Sequence, residues 1–314
     1  MSGSADGAPG LRALVEGAAR VLAEAGVASP RVDAVALAAN VLGVDRLELA
    51  LPPALPDDFA ARYADVVDRR RRREPLQHIV GTAAFRYLTL AVRPGVFVPR
   101  PETEVVAQVA VDEARGAVDD ALAPLVVDLC CGAGGIALAV ATEVPQADVV
   151  AVDLSPEAVA LTRHNAERVG ARLRVEEGDV GDPGLLADLA GRVDVLVSNP
   201  PYIPPDAEPV DPEVRDHDPD LALYGGGTDG LEVPRRVLDA AVRLLRPGGL
   251  LVVEHAEVQD AALRAEAAAR GFTAVGSRPD LSGRPRMLVA RRAADASPAH
   301  TGTTSPPRVE DSQP

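Results

Sequence analysis

Val193-Asp194-Val195-Leu196-Val197-Ser198-Asn199-Pro200-Pro201-Tyr202-Ile203 is the stretch from which the fold can be read. The apolar run from Val193 to Val197 has the character of a strand buried on both faces, as in parallel sheets. Two successive prolines end it, because neither can donate to a sheet ladder or continue into a helix. The chain must therefore leave the sheet at its carboxyl edge, where open α/β sheets bind ligands. Asn199 stands at that exit. Its side-chain oxygen is able to accept one N–H of a planar NH2 group and the Pro200 carbonyl the other, since proline keeps its acceptor while losing its donor. Tyr202 is placed to stack on or wall such a group. Taken alone, the same residues read equally as an Asn-Pro turn with a packing tyrosine.

Around this strand the pattern from residue 124 onward alternates between strand and helix, which implies a largely parallel α/β sheet. Seven strands are expected, at 125–129, 148–153, 172–176, 193–198, 249–255, 273–277 and 286–291. Helices are expected at 134–144, 156–169, 183–190, 231–246 and 258–270. The last two strands have no helix between them, so one of them inserts antiparallel. Residues 203–230 are irregular and rich in Pro, Asp and Gly, and a loop of that length in a compact domain is usually functional.

Val126-Val127-Asp128-Leu129-Cys130-Cys131-Gly132-Ala133-Gly134-Gly135 is a strand entering a glycine-rich turn and then a helix. Glycines there let backbone approach a ligand closely. Asp153 ends the next strand, where a carboxylate can accept the two ribose hydroxyls of a nucleoside cofactor. Gly132, Gly134 and Ala137 also match the dinucleotide fingerprint, so two cofactors compete. An acidic residue directly before the turn, as Asp128 is, would repel a pyrophosphate. It suits S-adenosylmethionine, whose amino-acid end carries an ammonium and a sulfonium. Asp179, in Glu177-Gly178-Asp179-Val180, is either an acceptor for an adenine amino group or a turn residue. A methyl donor and an NH2 clamp at Asn199 make one coherent reaction, and a nicotinamide enzyme has no use for that clamp. Two acceptors on the protons of an amide would favour electron density on its nitrogen and offset the charge that develops as the methyl arrives. That is electrostatic stabilisation and positioning without a strong general base.

Composition narrows the classes further. The chain has 314 residues with a net charge of −15, which disfavours a surface built to coat nucleic-acid phosphates. Every cation is an arginine, which together with abundant Ala, Gly, Pro and Val points to codon bias rather than chemistry. Aromatics make up 3%, so stacking platforms for single strands are scarce. Cys130 and Cys131 are adjacent, which fits neither an easy disulfide nor a zinc site and agrees with a reducing cytoplasm. Neither a signal peptide nor a membrane span is expected.

Residues 1–9 are small and polar, and a disordered start is expected. Helices follow from Leu11 to Gly26, after a Ser29-Pro30 cap, and from Pro56 to the arginines, so residues 10–83 read as a separate helical domain. Arg69 to Arg73 read either as an RNA or acidic-protein contact or as a solvated helix end, and the second is favoured. Residues 84–98 read as a hairpin linker turning at Pro94-Gly95, and Pro99 to Arg115 as a helix opening the domain at 99–292. His78, His164, His217 and His255 are expected to be structural; His300 lies in a tail, 293–314, that reads as disordered.

Asp128 to Gly134, Asp153 and Asn199 to Tyr202 together resemble class I, Rossmann-like S-adenosylmethionine-dependent methyltransferases that act on amino groups. Glu74-Pro75-Leu76-Gln77-His78-Ile79 with Gly81, Phe85, Val98-Pro99-Arg100-Pro101-Glu102-Thr103-Glu104, Gly225-Gly226, Asp229-Gly230-Leu231 and Gln259 narrow this further. The set is similar to the release factor glutamine methyltransferases of the HemK type. The resemblance implies a cytoplasmic, monomeric enzyme that methylates the side-chain nitrogen of the glutamine in a Gly-Gly-Gln loop of peptide chain release factors. It implies cofactor binding by Asp128, Cys130, Cys131, Gly132, Ala133, Gly134, Asp153, Asp179, Val180 and Asn199. It implies catalysis by Asn199, Pro200 and Tyr202, with Pro201 joining them against the substrate, and no metal. The alternatives are an adenine or guanine amino-methyltransferase and, behind it, a non-catalytic binding module. The chain departs from the family at Cys130-Cys131, where Gly-Thr is common, and at Glu254-His255-Ala256, where Glu-Ile-Gly is common. Neither departure is expected to touch the amide clamp.

Overall fold

A computed structural model of the chain describes residues 10–118 and 123–294. The expected disordered start at 1–9, and all but the first two residues of the expected tail, lie outside them. The chain opens with four helices: α1 (Leu11–Glu24), α2 (Pro30–Leu42), α3 (Phe59–Arg71) and the short α4 (Leu76–Val80). Leu11, Val15 and Leu22 of α1 close on Leu37 of α2 and on Phe59 and Tyr63 of α3, forming a core of their own. Ser29 holds the N-cap position of α2 with Pro30 in the first turn, but its side chain makes no capping bond. The sequence reading stopped at Glu74-Pro75 and missed α4. Pro75 there is the N-cap residue, with the helix beginning after it.

A two-stranded hairpin follows, β1 (Thr82–Phe85) and β2 (Leu88–Ala91). A turn does form at the expected Pro94-Gly95, but it follows the hairpin and is not its reversal. The chain reverses at Arg86-Tyr87, with Arg86 in the left-handed region at φ 52°. Arg86 is held there by ion pairing to Glu143 and by donating to Gln108 and to the Glu104 carbonyl. Such tertiary anchoring leaves no local signal. Phe85 and Leu90 turn inward and join the core of the large sheet.

After α5 (Thr103–Val118) come β3 (Leu125–Leu129), α6 (Gly135–Glu143), β4 (Asp148–Asp153), α7 (Pro156–Val169), β5 (Arg174–Glu177) and β6 (Val193–Ser198). The segment after β6 carries two short helices, α8 (Pro212–His217) and α9 (Asp220–Leu223), where only irregular chain was expected. Next come α10 (Glu232–Leu244), β7 (Leu245–Glu254), α11 (Asp260–Ala269), β8 (Phe272–Pro279) and β9 (Pro285–Arg292). The helix expected at 183–190 is absent apart from one 3-10 turn at Ala187–Leu189. Gly184 and a left-handed Leu186 (φ 51°) break it, while Leu185, Leu186 and Leu189 still bury against the sheet. Leu hydrophobicity at helical spacing had masked the break.

Seven strands run in the order β5-β4-β3-β6-β7-β9-β8. The first five are parallel, and β9 inserts antiparallel between β7 and β8. The helices α5, α6 and α7 cover one face and α10 and α11 the other, each face closing a separate apolar core. Strand order reverses between β3 and β6, and their carboxyl ends open the crevice expected at such a switch point. Ser198 Oγ donates to the Leu129 carbonyl at 2.7 Å and ties the two ends together.

One buried amide fastens the hairpin to this crevice. Asn165 of α7 is fully buried; it accepts from Ala91 N at 2.7 Å and donates to the Ala91 and Ala133 carbonyls at 3.0 Å. Replacing it strands three buried backbone groups. Asn165→Ala is expected to destabilise the fold by at least about 2 kcal/mol, read as a lowered urea midpoint at unchanged slope.

Candidate active site

The crevice contains a cavity of about 310 Å3, a size typical of small-ligand sites. Asp128, Cys130, Cys131, Gly132, Ala133, Asp153, Asp179, Val180, Asn199, Pro200, Pro201 and Tyr202 all line it. Of the residues singled out from the sequence, only Gly134 stands back, at the N-cap of α6.

The turn after β3 is tightly wound. Cys130, Gly132 and Gly134 have φ of 61°, 57° and 86°. Glycine suits that region, whereas a side chain there is strained, as Cys130 is. Thr162 of α7 donates to the Gly132 carbonyl at 2.8 Å. Asp153 does more than face the cavity: its Oδ2 accepts from Gly132 N at 2.8 Å and its Oδ1 from Ser155 N at 2.9 Å. It braces the turn and keeps spare lone pairs. Asp128 is 1% exposed; Oδ2 accepts from Ala137 N at 3.0 Å, while Oδ1 has no partner among the described residues. Burial pushes its carboxyl up to about 8, against the Ala137 hydrogen bond and with some help from the Asp153 charge. Asp179 satisfies the turn reading through an Oδ1 bond from Gly181 N at 2.7 Å, and it lies on the cavity wall as well. Burial raises the Cys130 and Cys131 thiols far from thiolate formation, so both are inert as nucleophiles.

The Asn199 side-chain nitrogen is engaged by Thr103, which lines the cavity as well. Nδ2 donates to Thr103 Oγ1 at 3.2 Å. Among the described residues nothing donates to Asn199 Oδ1 or to the Pro200 carbonyl, so two adjacent residues lining the cavity each keep an unengaged acceptor. Burial holds the Tyr202 phenol neutral, with the Glu254 charge adding to the rise.

The backbone of this motif is fixed from behind. Ile203 N donates to the Leu223 carbonyl at 2.8 Å and Gly225 N to the Ile203 carbonyl at 3.0 Å. Gln259 Nε2 donates to the Tyr202 carbonyl at 2.7 Å and to the Asp229 carbonyl at 2.9 Å, and its Oε1 accepts from Ala256 N. Residues 254–256 thus reach the clamp through Gln259, and Glu254 itself lines the cavity. The departing residues themselves, His255 and Ala256, do not line the cavity. The link from Ala256 runs through its backbone N–H, which spacing along the sequence does not reveal. Thr103 and Glu254 are the site residues that sequence reasoning left unassigned. Both stand in quoted motifs, which was the available signal. None of His78, His164, His217 or His255 lines the cavity.

Residues 13–81 match the PrmC N-terminal domain family and residues 93–210 the methyltransferase small domain family. The release factor glutamine methyltransferase of Streptomyces coelicolor is 52% identical over 285 residues, spanning 90% of this chain and 98% of that protein. Its namesake from Mycolicibacterium smegmatis is 49% identical with the same coverage, and that of Mycobacterium tuberculosis H37Rv is 44% identical over 90% of this chain and 91% of its own. The chain belongs to the release factor glutamine methyltransferase family. A crystal structure of a methyltransferase from Pyrococcus furiosus shares the fold, with a TM-score of 0.52 at 17% identity, over 72% of this chain and 99% of that one.

Within the family fold, Gly225 and Gly230 show why side chains are barred beside the clamp. A Cβ at Gly225 would stand 1.9 Å from the Gly230 carbonyl oxygen and 2.6 Å from that of Pro201. At Gly230 it would stand 2.3 Å from the Tyr202 carbonyl oxygen. Gly225→Ala is therefore expected to displace the motif and lower turnover by about a hundredfold, the usual consequence of an ångström-scale misplacement. Unchanged turnover in a purified, folded variant would show that the contact is not limiting.

Proposed function

We propose that this chain transfers a methyl group from S-adenosylmethionine to the side-chain nitrogen of the glutamine in the Gly-Gly-Gln segment of peptide chain release factors. The observation that carries the reading is the pair of unengaged acceptors, Asn199 Oδ1 and the Pro200 carbonyl, beside the glycine-rich turn. Together they accept both N–H groups of a primary amide and hold its nitrogen still. An amide nitrogen so held gains electron density, and the charge that builds on it is met by preorganised dipoles. Tyr202 walls the amide, and Pro201 keeps the backbone from rotating.

S-adenosylmethionine supplies an electrophilic methyl on a cationic sulfur. The residues present fit it. The unpartnered Asp128 Oδ1 is a buried acceptor for the ammonium, and the remaining lone pairs of Asp153 suit ribose hydroxyls. Asp179 and Val180 line the same cavity and are assigned to the adenine. A protein substrate is favoured over a nucleic acid because the arginine run is not an open basic stripe. Arg69 pairs with Glu74, Arg70 with Asp33 and Glu213, Arg71 and Arg72 with Asp68, and Arg73 with Glu213. The rest of the reading is a monomeric enzyme whose helical bundle docks the release factor.

The decisive experiment offers labelled S-adenosylmethionine together with a release factor, its Gly-Gly-Gln→Gly-Gly-Ala variant, duplex DNA or total RNA. Label is expected on the release factor and absent from the variant; label on nucleic acid alone would overturn the reading. Asn199→Ala is expected to abolish transfer while cofactor affinity stays within a few-fold, measured by calorimetry. Asp128 gives a pH signature. Its folded pKa of about 8 lies above its ordinary value, so the ionised form costs stability as pH rises from about 4 to 8, and a bound cation restores that form. Cofactor binding at pH 7 should release close to one proton, seen by calorimetry in buffers of different ionisation enthalpy, and the release should vanish in Asp128→Asn.

A further inference from the structure

A side-chain amide has two ends of nearly the same shape, and only one orientation of Asn199 serves a clamp. Oδ1 toward the substrate meets an N–H with an acceptor. Nδ2 toward it would set donors against donors. The group behind Asn199 must decide between them, and that group is Thr103, 6% exposed at the start of α5, with Oγ1 3.2 Å from Nδ2. A hydroxyl alone settles nothing, because it can donate to Oδ1 as readily as it accepts from Nδ2.

Behind Thr103 stands Glu254, the last residue of β7. It is 1% exposed, lines the same cavity, and leaves Oε2 without a partner among the described residues. Thr103, Tyr202 and Arg286 of β9 surround its carboxyl and favour the ionised form against burial. An ionised carboxylate only accepts, so it draws the hydroxyl proton of Thr103 to itself and leaves that oxygen's lone pairs for Asn199 Nδ2. We propose that Glu254 and Thr103 form a relay of positioning residues that locks the Asn199 amide with Oδ1 toward the target nitrogen. The relay rests on the reading of Asn199 as the amide clamp.

Burial of Glu254 gives the relay a pH response. Burial pushes the carboxyl up to about 7 against Thr103, Arg286 and Tyr202, while Glu102 adds to the rise. Below that value Glu254 gains a proton, can donate in its turn, and no longer dictates the direction of the Thr103 hydroxyl. Turnover at saturating cofactor therefore falls on the acid side of about pH 7.

The test uses the full chain with a release factor as substrate and compares Thr103→Val, Thr103→Ser and Glu254→Gln. Thr103→Val is expected to lower kcat about ten- to a hundredfold, the effect of one unsatisfied buried polar group, with cofactor Kd and substrate KM within about threefold. Thr103→Ser keeps the hydroxyl and should restore kcat to within about threefold of the parent. Glu254→Gln should abolish the acid limb near pH 7. Parental kcat in Thr103→Val, or an unchanged acid limb in Glu254→Gln, overturns the relay. A release factor left unlabelled by the parent enzyme would instead overturn the function, and the relay is then judged without substrate. Hydrogen exchange of the Asn199 side-chain NH2, assigned by its loss in Asn199→Ala, should be about tenfold or more faster in Thr103→Val than in the parent. Equal rates overturn the relay.

Discussion

Two neighbouring strands whose chains depart to opposite faces leave a gap that the backbone alone cannot close, and this gap between β3 and β6 is the constraint on which the site depends. The floor is stitched by the Ser198 hydroxyl on the Leu129 carbonyl. The rim is harder to hold, because three left-handed residues in five turn their amides and carbonyls away from any regular ladder. Some of these groups bond to backbone, as Cys131 N does to the Val152 carbonyl and Gly134 N to that of Cys131, and others find side chains. Asp153 takes Gly132 N, Thr162 gives to the Gly132 carbonyl, and Asn165 gives to the Ala133 carbonyl. A loop satisfied in this way behaves as rigid scaffold, with its ligand-facing geometry set before any ligand arrives.

The same economy of polar groups shapes the chemistry. Buried carboxylates are normally paired, yet Asp128 and Glu254 each keep an oxygen unmatched among the described residues. Both lie on the one cavity that also carries Asn199 Oδ1 and the Pro200 carbonyl. The wall therefore presents several acceptors that no protein donor engages among the described residues. Such acceptors favour ligands bearing positive charge and N–H or O–H groups. A cationic methyl donor and a primary amide share that character.

Much of this was legible in the sequence wherever the information was local. The apolar run ending in Asn199-Pro200-Pro201 announced a parallel strand and its exit, and Asp128 with the glycines announced the turn. The unpaired succession of β8 and β9 announced an antiparallel insertion. What could not be read was tertiary. The hairpin reverses at Arg86, which no turn propensity would nominate, because Glu143, Gln108 and the Glu104 carbonyl hold it. Leu185, Leu186 and Leu189 have helical spacing but bury from a broken coil. Thr103 and Glu254 lie far apart in the chain and meet only because α5 and β7 both end at the crevice. Asp153 reads in sequence as a ligand-facing carboxylate, and its bracing of Gly132, a residue 21 positions away, is a tertiary contact.

The ion pairs of Glu213 carry one more consequence. Glu213 lies on α8, ten residues beyond Ile203, yet its carboxylate is gripped by Arg70 and Arg73 of the helical bundle, at 2.7 and 2.5 Å. Burial would raise its pKa, but the two guanidiniums carry it down to about 2. The bundle and the segment that follows the amide clamp are thus one electrostatic unit. A helical domain exchanged between relatives is not a detachable handle: unless the arginine pair and its acidic partner travel together, the graft would leave buried charge stranded on both sides of the seam. Variation in this molecule is free to accumulate on the outer faces of the bundle, while the seam itself binds two distant parts of the sequence to a common history.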